Sequence, residues 1–150
     1  MIVYFVDRKR IEQVLTYMEE VTQYIESEPL LTDKKSGLAL ERAVAVLIES
    51  IIDVGNQLID GFIMRDPGGY EDIIDILEDE TVITGQECVE LKRIIQLRKT
   101  LAYEYTTIDH QQLYQTVTEQ LKGVKHFPQA VRVYLKNELG VITAFLPEEQ

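Results

Sequence analysis

The sequence predicts an all-α fold, a bundle of five to six helices with an up-and-down helical core. Apolar residues recur at the i, i+3, i+4, i+7 spacing of a helix along almost the whole chain. Short segments of turn and capping residues separate these stretches, and no two segments have the pattern of paired strands. The chain has 150 residues, of which 45% are hydrophobic and 27% charged, as in an ordinary globular protein. We therefore expect one helical domain over residues 1–150.

The first two helices are predicted from apolar stripes bounded by capping and stop residues. Asp7 suits the N-cap of the first helix and Pro29 its stop. After a polar linker at residues 32–37, a second helix from Leu38 to Met64 would be about 40 Å long. It is apolar over a wide arc, so we place it at the centre of the bundle. Residues 2–6 are expected to pack on helices as an arm, because no segment could pair with them as a strand.

The third and fourth helices follow a turn at residues 66–69. Residues 70–80 are predicted to form a short acidic helix with its isoleucines and leucine inward. Thr84 then opens the fourth helix, and Glu87 three residues later completes a capping box. The apolar face of this helix is predicted to hold Leu91, Ile94, Ile95, Leu101, Ala102 and Tyr105.

The last two helices are predicted from a cap and a proline. Asp109 is expected to cap the fifth helix. Its inward residues would be Leu113, Val117, Leu121 and Val124. Pro128 suits the first turn of a sixth helix, which would end at Gly140.

Composition excludes several classes of protein. Fifteen basic and 26 acidic residues give a net charge of −11, which opposes non-specific adhesion to nucleic acid or anionic lipid. Much of this charge lies at residues 66–80, which contain seven acidic residues and no Lys or Arg. One cysteine and two histidines exclude a disulfide framework, a multi-cysteine metal site and a three-histidine zinc site. With no signal-peptide core and no apolar run near the roughly 18 residues of a membrane span, we expect a cytoplasmic protein.

Arg98 is the most informative residue, because the helical spacing places it inside the apolar stripe of the fourth helix. An unpaired guanidinium is expensive to bury, so it needs a carboxylate partner or a wet cleft. Glu49, Asp53 and Asn56 form one polar line on the second helix, and either carboxylate is a natural partner. Arg98 is thus either half of a structural ion pair or an anion-binding residue, with Lys99 beside it.

Two tyrosines follow Arg98 on the same predicted helix. Tyr105 is two turns further on and would lie nearly above Arg98. Tyr103 would lie about 140° round the helix, so it can join Arg98 only if the helix ends near Ala102. Both tyrosines also suit an amphipathic rim, and a tyrosine hydroxyl, which titrates near pH 10, is a poor general base.

The sequence gives little support for a metal or cofactor site. Metal-binding helical bundles use Glu-x-x-His pairs, and neither His110 nor His126 has a carboxylate three residues before it. The phosphate-binding, dinucleotide-binding, zinc-protease and EF-hand motifs are absent from the sequence. We expect no metal and no cofactor, and a metal-dependent bundle enzyme is a distant alternative.

Three segments resemble the HepT-like branch of the HEPN superfamily, most closely its YutE-like proteins. They are residues 51–59 (IIDVGNQLI), Tyr70 ahead of the acidic helix, and residues 97–105 (LRKTLAYEY). The resemblance extends over roughly residues 4–140. It implies a helical bundle that forms a homodimer or higher oligomer, with an arginine motif in a cleft at the interface. It also implies a metal-independent RNase toxin, which a nucleotidyltransferase antitoxin of the MntA type silences by adding AMP to a tyrosine.

The resemblance assigns roles to individual residues. The family motif is Arg, Asn, three residues, His, one residue, Tyr; Arg98 matches the arginine and Tyr105 the AMP-accepting tyrosine. Lys99 stands where the family usually has Asn, and Tyr103 where it has the histidine of acid–base catalysis. We assign Arg98 and Tyr103 as catalytic residues and Tyr105 as the modification site. The residues expected to contact substrate are Lys99, Asn56 and Asp53.

Two functions therefore compete. The first is an RNase toxin that binds RNA and a nucleotidyltransferase antitoxin. The second is a weakly active or inactive bundle that keeps only the interaction with the nucleotidyltransferase, which the replacement of the motif histidine by Tyr103 favours.

Overall fold

A computed structural model describes residues 6–143 and contains six helices in that range. They are α1 (Arg8–Ser27), α2 (Lys34–Gly61), α3 (Tyr70–Asp79), α4 (Gly85–Tyr103), α5 (His110–Glu119) and α6 (Leu121–Thr143). The all-α prediction is confirmed, and these residues include no strand. None of the helices in this range is both long and apolar enough to cross a membrane. The arm expected at residues 2–6 lies outside the described residues apart from Val6, which packs against the core.

Helix α2 is the centre of the bundle, as its apolar arc predicts. It packs against α1, α3, α4 and α5, while α6 lies across α1 and α4. Nearly every turn of α2 contributes to the core, through Leu40, Val44, Leu47, Ile48, Ile51, Ile52, Val54, Leu58 and Ile59. Burying an aliphatic side chain of this size contributes about 1.5–3 kcal/mol. This packing fixes the outward face of α2, where the polar line lies.

Three predicted helix starts are confirmed, because capping is a local interaction. The side chains of Asp7 and Asp109 accept backbone N–H groups at the first turns of α1 and α5. Thr84 and Glu87 form the reciprocal capping box of α4. The start of α2 is four residues earlier than predicted, since Asp33 accepts the N–H of Ser36 and caps it there. Part of the polar linker is therefore helix.

The predicted boundary between the last two helices is wrong. Leu121 and Val124 are buried as expected, but they belong to α6, which begins at Leu121 instead of near Pro128. Helix α5 closes at Gln120, whose N–H donates to the carbonyls of Thr116 and Val117. Pro128 lies inside α6, which forgoes one backbone hydrogen bond there because proline has no N–H. Helix α6 also continues past Gly140 as far as Thr143, the last described residue.

Helix α4 ends earlier than its predicted stripe. Glu104 is the C-cap, and its N–H donates to the carbonyl of Thr100 at 2.9 Å. The next turn is held by the N–H of Thr107, which donates to the carbonyl of Glu104 at 3.2 Å. Tyr105 therefore lies in the connection to α5 and not on the α4 helix.

Candidate functional site

The connection between α2 and α3 is pinned by an arginine–carboxylate fork. Both Nη atoms of Arg65 donate to Asp72, at 2.8 and 2.9 Å, and the N–H of Gly68 donates to the same carboxylate at 2.8 Å. The bond from Arg65 and then the bond from Gly68 lower the pKa of Asp72 to about 2. These contacts fix the start of α3, where Tyr70 is the first helical residue.

Arg98 lies between α2 and α3 and contacts both. Its Nε donates to Oε1 of Glu49 at 3.1 Å, so the carboxylate partner expected from the polar line is Glu49 and not Asp53. Its Cζ lies 4.4 Å from the centroid of the Tyr70 ring, which is cation–π geometry. The hydrogen bond to Glu49 raises the pKa of Arg98 against the lowering effect of burial. The arginine is thus charged and held from two sides.

The position of Arg98 differs from the buried stripe that helical spacing predicts. Its side chain is 35% exposed and that of Glu49 54%, because the apolar face of α4 is fully buried only as far as Ile95. Within residues 6–143, its Nη1 and Nη2 atoms donate to no other group. A planar guanidinium with a free Nη edge suits bidentate binding of a carboxylate or phosphate. Arg98 therefore has the geometry of an anion-binding residue.

The two motif tyrosines are both exposed, Tyr103 by 74% and Tyr105 by 66%. The expectation that Tyr105 lies above Arg98 is wrong, because α4 ends at Tyr103. The same early end meets the condition under which Tyr103 can approach Arg98, and Tyr103 contributes electrostatically to raising the pKa of Arg98. Tyr103 is thus the exposed last residue of α4, while Tyr105 lies just outside the helix and is open to solvent.

The three residues expected to contact substrate are not joined to Arg98. Lys99 and Asp53 are exposed and Asn56 is half-buried, and no ion pair or hydrogen bond connects them to Arg98 in the part of the chain described. Lys92, one turn and a half earlier on α4, is instead paired with Asp75 at 3.1 Å. Among the basic residues of α4, Lys99 and Arg98 therefore keep donor capacity near the end of the helix.

A possible metal-ligand group lies away from Arg98, where Asp75, Glu78 and Cys88 approach one another. Its chemistry is unfavourable for a metal. Burial, and then Glu78, raise the pKa of the Cys88 thiol to about 12, so the thiol keeps its proton at neutral pH. Asp75 already accepts a hydrogen bond from the Lys92 ammonium. We assign no metal site to this group.

A surface groove lies between α1 and α2, on a different part of the bundle. Tyr17, Val21 and Tyr24 form one wall, and Ala39 and Ala43 contribute to the other. Its lining contains no cysteine, serine, lysine or histidine. We place the candidate site at Arg98, because this motif residue is a charged group with free donors.

Tyr70 is the site residue that the chemical analysis of the sequence missed. Its position after the turn at residues 66–69 marks it as the start of α3, but nothing local indicates a contact with α4. The pairing of Tyr70 with Arg98 appears only when α3 and α4 pack side by side.

Comparison with known proteins places the chain in a family. The model of the family described as "Ribonuclease HepT-like" matches residues 11–131. A relative from Bacillus subtilis (strain 168), named "Putative RNase YutE", is 45% identical over 142 residues, covering 95% of this chain and 99% of its own. The structure of YutE, described as a cytosolic protein of unknown function, covers 95% of this chain and all of its own with a TM-score of 0.89. A tri-AMPylated HEPN toxin of Shewanella oneidensis, solved with its MNT antitoxin, shares the fold at a TM-score of 0.69 and 15% identity, covering 83% of this chain and 95% of its own.

Proposed function

This chain belongs to the HepT-like ribonuclease family, and from that premise we propose that it is a metal-independent endoribonuclease and the toxin of a toxin–antitoxin pair. The observation that carries the proposal is the free Nη edge of Arg98 near the end of α4, the helix whose last residue is Tyr103. An RNA phosphodiester is an anion whose two non-bridging oxygens match that edge. We propose that two copies of the chain meet around this site and that their shared cleft holds the RNA.

In the proposed reaction, the ribose 2′-hydroxyl attacks the adjacent phosphorus and the 5′-oxygen leaves. Arg98 stabilises the negative charge that develops on the phosphoryl oxygens. Water accepts the proton of the 2′-hydroxyl, Tyr103 donates a proton to the leaving 5′-oxygen, and a 2′,3′-cyclic phosphate remains; in the family motif a histidine is the acid–base group. Lys99 contacts a neighbouring phosphate, and Asn56 and Asp53 contact the substrate from the outward face of α2.

The first experiment measures RNA cleavage by the purified protein and growth of cells that express it. Arg98→Ala is expected to reduce cleavage at least about 100-fold and to abolish any growth defect. Arg93→Ala is the matched control, because Arg93 is exposed on the same helix and makes no ion pair with any described residue. Equal cleavage by wild type and Arg98→Ala, or none by the wild type, contradicts the proposal.

The proposed antitoxin is a nucleotidyltransferase of the MntA type, and the proposed acceptor of AMP is Tyr105. The choice of Tyr105 as acceptor is supported by its exposure, because it lies outside helix α4, where an enzyme can reach its hydroxyl. Mass spectrometry after coexpression is expected to find a gain of AMP on the peptide that contains Tyr105. Tyr105→Phe is expected to lose that gain while Tyr103→Phe keeps it; the reverse pattern overturns the assignment.

The second candidate, a non-catalytic partner of the nucleotidyltransferase, is favoured by one observation. Tyr103 occupies the position of the motif histidine, and tyrosine is the weaker acid–base group near neutral pH. Under this alternative the wild type cleaves no RNA but still binds the nucleotidyltransferase. Tyr103→His separates the candidates: restored activity with a pH dependence near 6–7 indicates an intact RNA site that lacks only its acid–base group.

A further inference from the structure

We propose that Tyr70 is a positioning residue for Arg98, and the proposal rests on the RNase function proposed above. The Tyr70 ring lies against the guanidinium, with 4.4 Å between Cζ and the ring centroid. Glu49 holds the same side chain at a different atom, Nε, at 3.1 Å. Together the two contacts direct the free Nη edge of Arg98 toward the substrate phosphate.

Two restraints are needed because of the way an arginine side chain moves. A single hydrogen bond at Nε leaves the side chain free to swing about its flexible stem. An aromatic ring packed against the guanidinium plane removes that freedom. The ring face accepts no hydrogen bond from the guanidinium, so it takes up none of the N–H donors. The donors therefore stay available for an anion while their direction is fixed.

The packing of α3 on α4 fixes where the Tyr70 ring lies. Nε2 of Gln96, two residues before Arg98, donates to Oε1 of Glu71, the residue after Tyr70, at 3.1 Å. One turn further along, Lys92 pairs with Asp75 at 3.1 Å. These two side-chain links set the register of the first turns of α3 against α4, and with it the position of Tyr70 over Arg98.

A purely structural role for the Tyr70–Arg98 contact fits the exposure poorly. Tyr70 is 47% exposed and the Arg98 side chain 35%, so the contact buries little surface. An exposed cation–π pair adds little to folding stability, but it orients a catalytic charge throughout the reaction. We therefore expect loss of the Tyr70 ring to affect catalysis and anion binding more than the stability of the fold.

The test compares ring-retaining and ring-removing substitutions in cleavage of an RNA oligonucleotide. Tyr70→Leu is expected to lower kcat/KM by a factor of about 2 to 30, the range of a cation–π contact. Tyr70→Phe keeps the ring and is expected to stay within about twofold of the wild type. Tyr24→Leu is the control, because Tyr24 is a similarly exposed tyrosine on α1, outside the site. No loss in Tyr70→Leu, or an equal loss in Tyr70→Phe, overturns the proposal.

A graded series tests the proposal without removing the ring, so that misfolding cannot produce the result. Phenylalanines with one to three ring fluorines at position 70 keep the shape and weaken the negative face of the ring. Activity is expected to fall stepwise with each fluorine. Activity that is independent of fluorination shows that the ring acts by shape alone and overturns the cation–π mechanism.

A binding measurement separates failure of this proposal from failure of the RNase function. The probe is an oligonucleotide with 2′-O-methyl groups, which the proposed reaction cannot cleave. Tyr70→Leu is expected to weaken its binding in the wild-type background and to have no further effect in Arg98→Ala, because Tyr70 acts through Arg98. Equal effects in both backgrounds overturn the positioning role. Absent cleavage by the wild type overturns the RNase function alone, and the binding cycle then decides the role of Tyr70.

Discussion

Arg98 and Arg132 have similarly exposed side chains, 35% and 28%, yet their surroundings differ completely. On α6, Nε of Arg132 donates to Glu12, while both Nη atoms donate to Glu19, all at 2.8 to 3.0 Å. Those carboxylates lie seven residues apart on α1, so Arg132 joins α1 to α6. Arg98 makes one hydrogen bond, to Glu49, and lies against one aromatic ring.

The two arginines differ in how many of their N–H donors are engaged, while their exposure is similar. In Arg132, all three guanidinium nitrogens already donate to carboxylates of the same chain, which leaves only two of its five N–H groups for a ligand. A guanidinium with an open edge is ready to bind one. We therefore expect Arg132 to contribute to stability and propose that Arg98 contributes to binding, and each expectation leads to a separate measurement.

The largest expected effect is on RNA cleavage and is measured by replacing each of the two arginines, in separate variants, with lysine. Arg98→Lys keeps the charge but loses the planar fork, so RNA cleavage is expected to fall about 10- to 100-fold. Arg132→Lys is expected to leave cleavage within about twofold. Cleavage assays on both variants check this. Full activity in Arg98→Lys means that a point charge suffices, and the argument from the open edge then fails.

The next effect is on stability. Arg132→Ala removes the fork that joins α1 to α6 and is expected to lower the free energy of unfolding by about 1–2 kcal/mol, a value reduced for the partial exposure of the three groups. Arg98→Ala is expected to cost less than about 0.5 kcal/mol. Urea denaturation measures both, with similar m-values as the sign that the native states are intact. A reversed order contradicts the comparison.

The sequence predicted the features that depend on neighbouring residues better than those that depend on how the helices pack or where one helix gives way to the next. The caps at Asp7, Thr84 and Asp109 were predictable because each involves residues within one helical turn. The boundary between α5 and α6 was not, because the apolar period continues through Leu121 and Val124 while the backbone breaks between helices. For the same reason the helical period placed Tyr105 on α4, where the helix in fact ends at Tyr103.

At the site, the polar line on α2 predicted a carboxylate partner for Arg98, and it is Glu49. The contact of Arg98 with Tyr70 depends on how α3 packs on α4, and no spacing within either helix specifies that. The chemistry assigned to Tyr103, Lys99, Asn56, Asp53 and Tyr105 remains a prediction.

A smaller effect is the pH dependence of the Arg132 fork. The hydrogen bond from Arg132 lowers the pKa of Glu19 against the opposing effect of burial. A carboxylate with a lowered folded pKa stabilises the fold above its unfolded value of 4.5, and that contribution disappears as the pH falls through the lower folded value. Glu19→Gln is therefore expected to be less stable than wild type at pH 7, with the difference shrinking below pH 4.5.

Urea denaturation at pH 7, 5 and 3 measures this difference. Glu20→Gln is the control, because Glu20 makes no ion pair with the described residues and lies next to Glu19 on α1. A difference for Glu19→Gln that stays constant from pH 7 to pH 3 shows that lost packing, not the charge pair, causes the destabilisation.

The smallest expected effect extends the comparison to two lysines of α4. Lys92 is engaged by Asp75, whereas Lys99 is exposed and has no ion-pair partner within residues 6–143. Lys99→Ala is expected to weaken binding of a 2′-O-methyl oligonucleotide about threefold and to reduce the slope of log affinity against log salt by about 0.7, the value for one contact with a single-stranded phosphate. Lys92→Ala is expected to change neither quantity, because its ammonium is already paired with Asp75. Equal losses in the two variants would show that RNA responds to the total charge of α4, and the distinction between engaged and free cations would then not extend beyond the arginines.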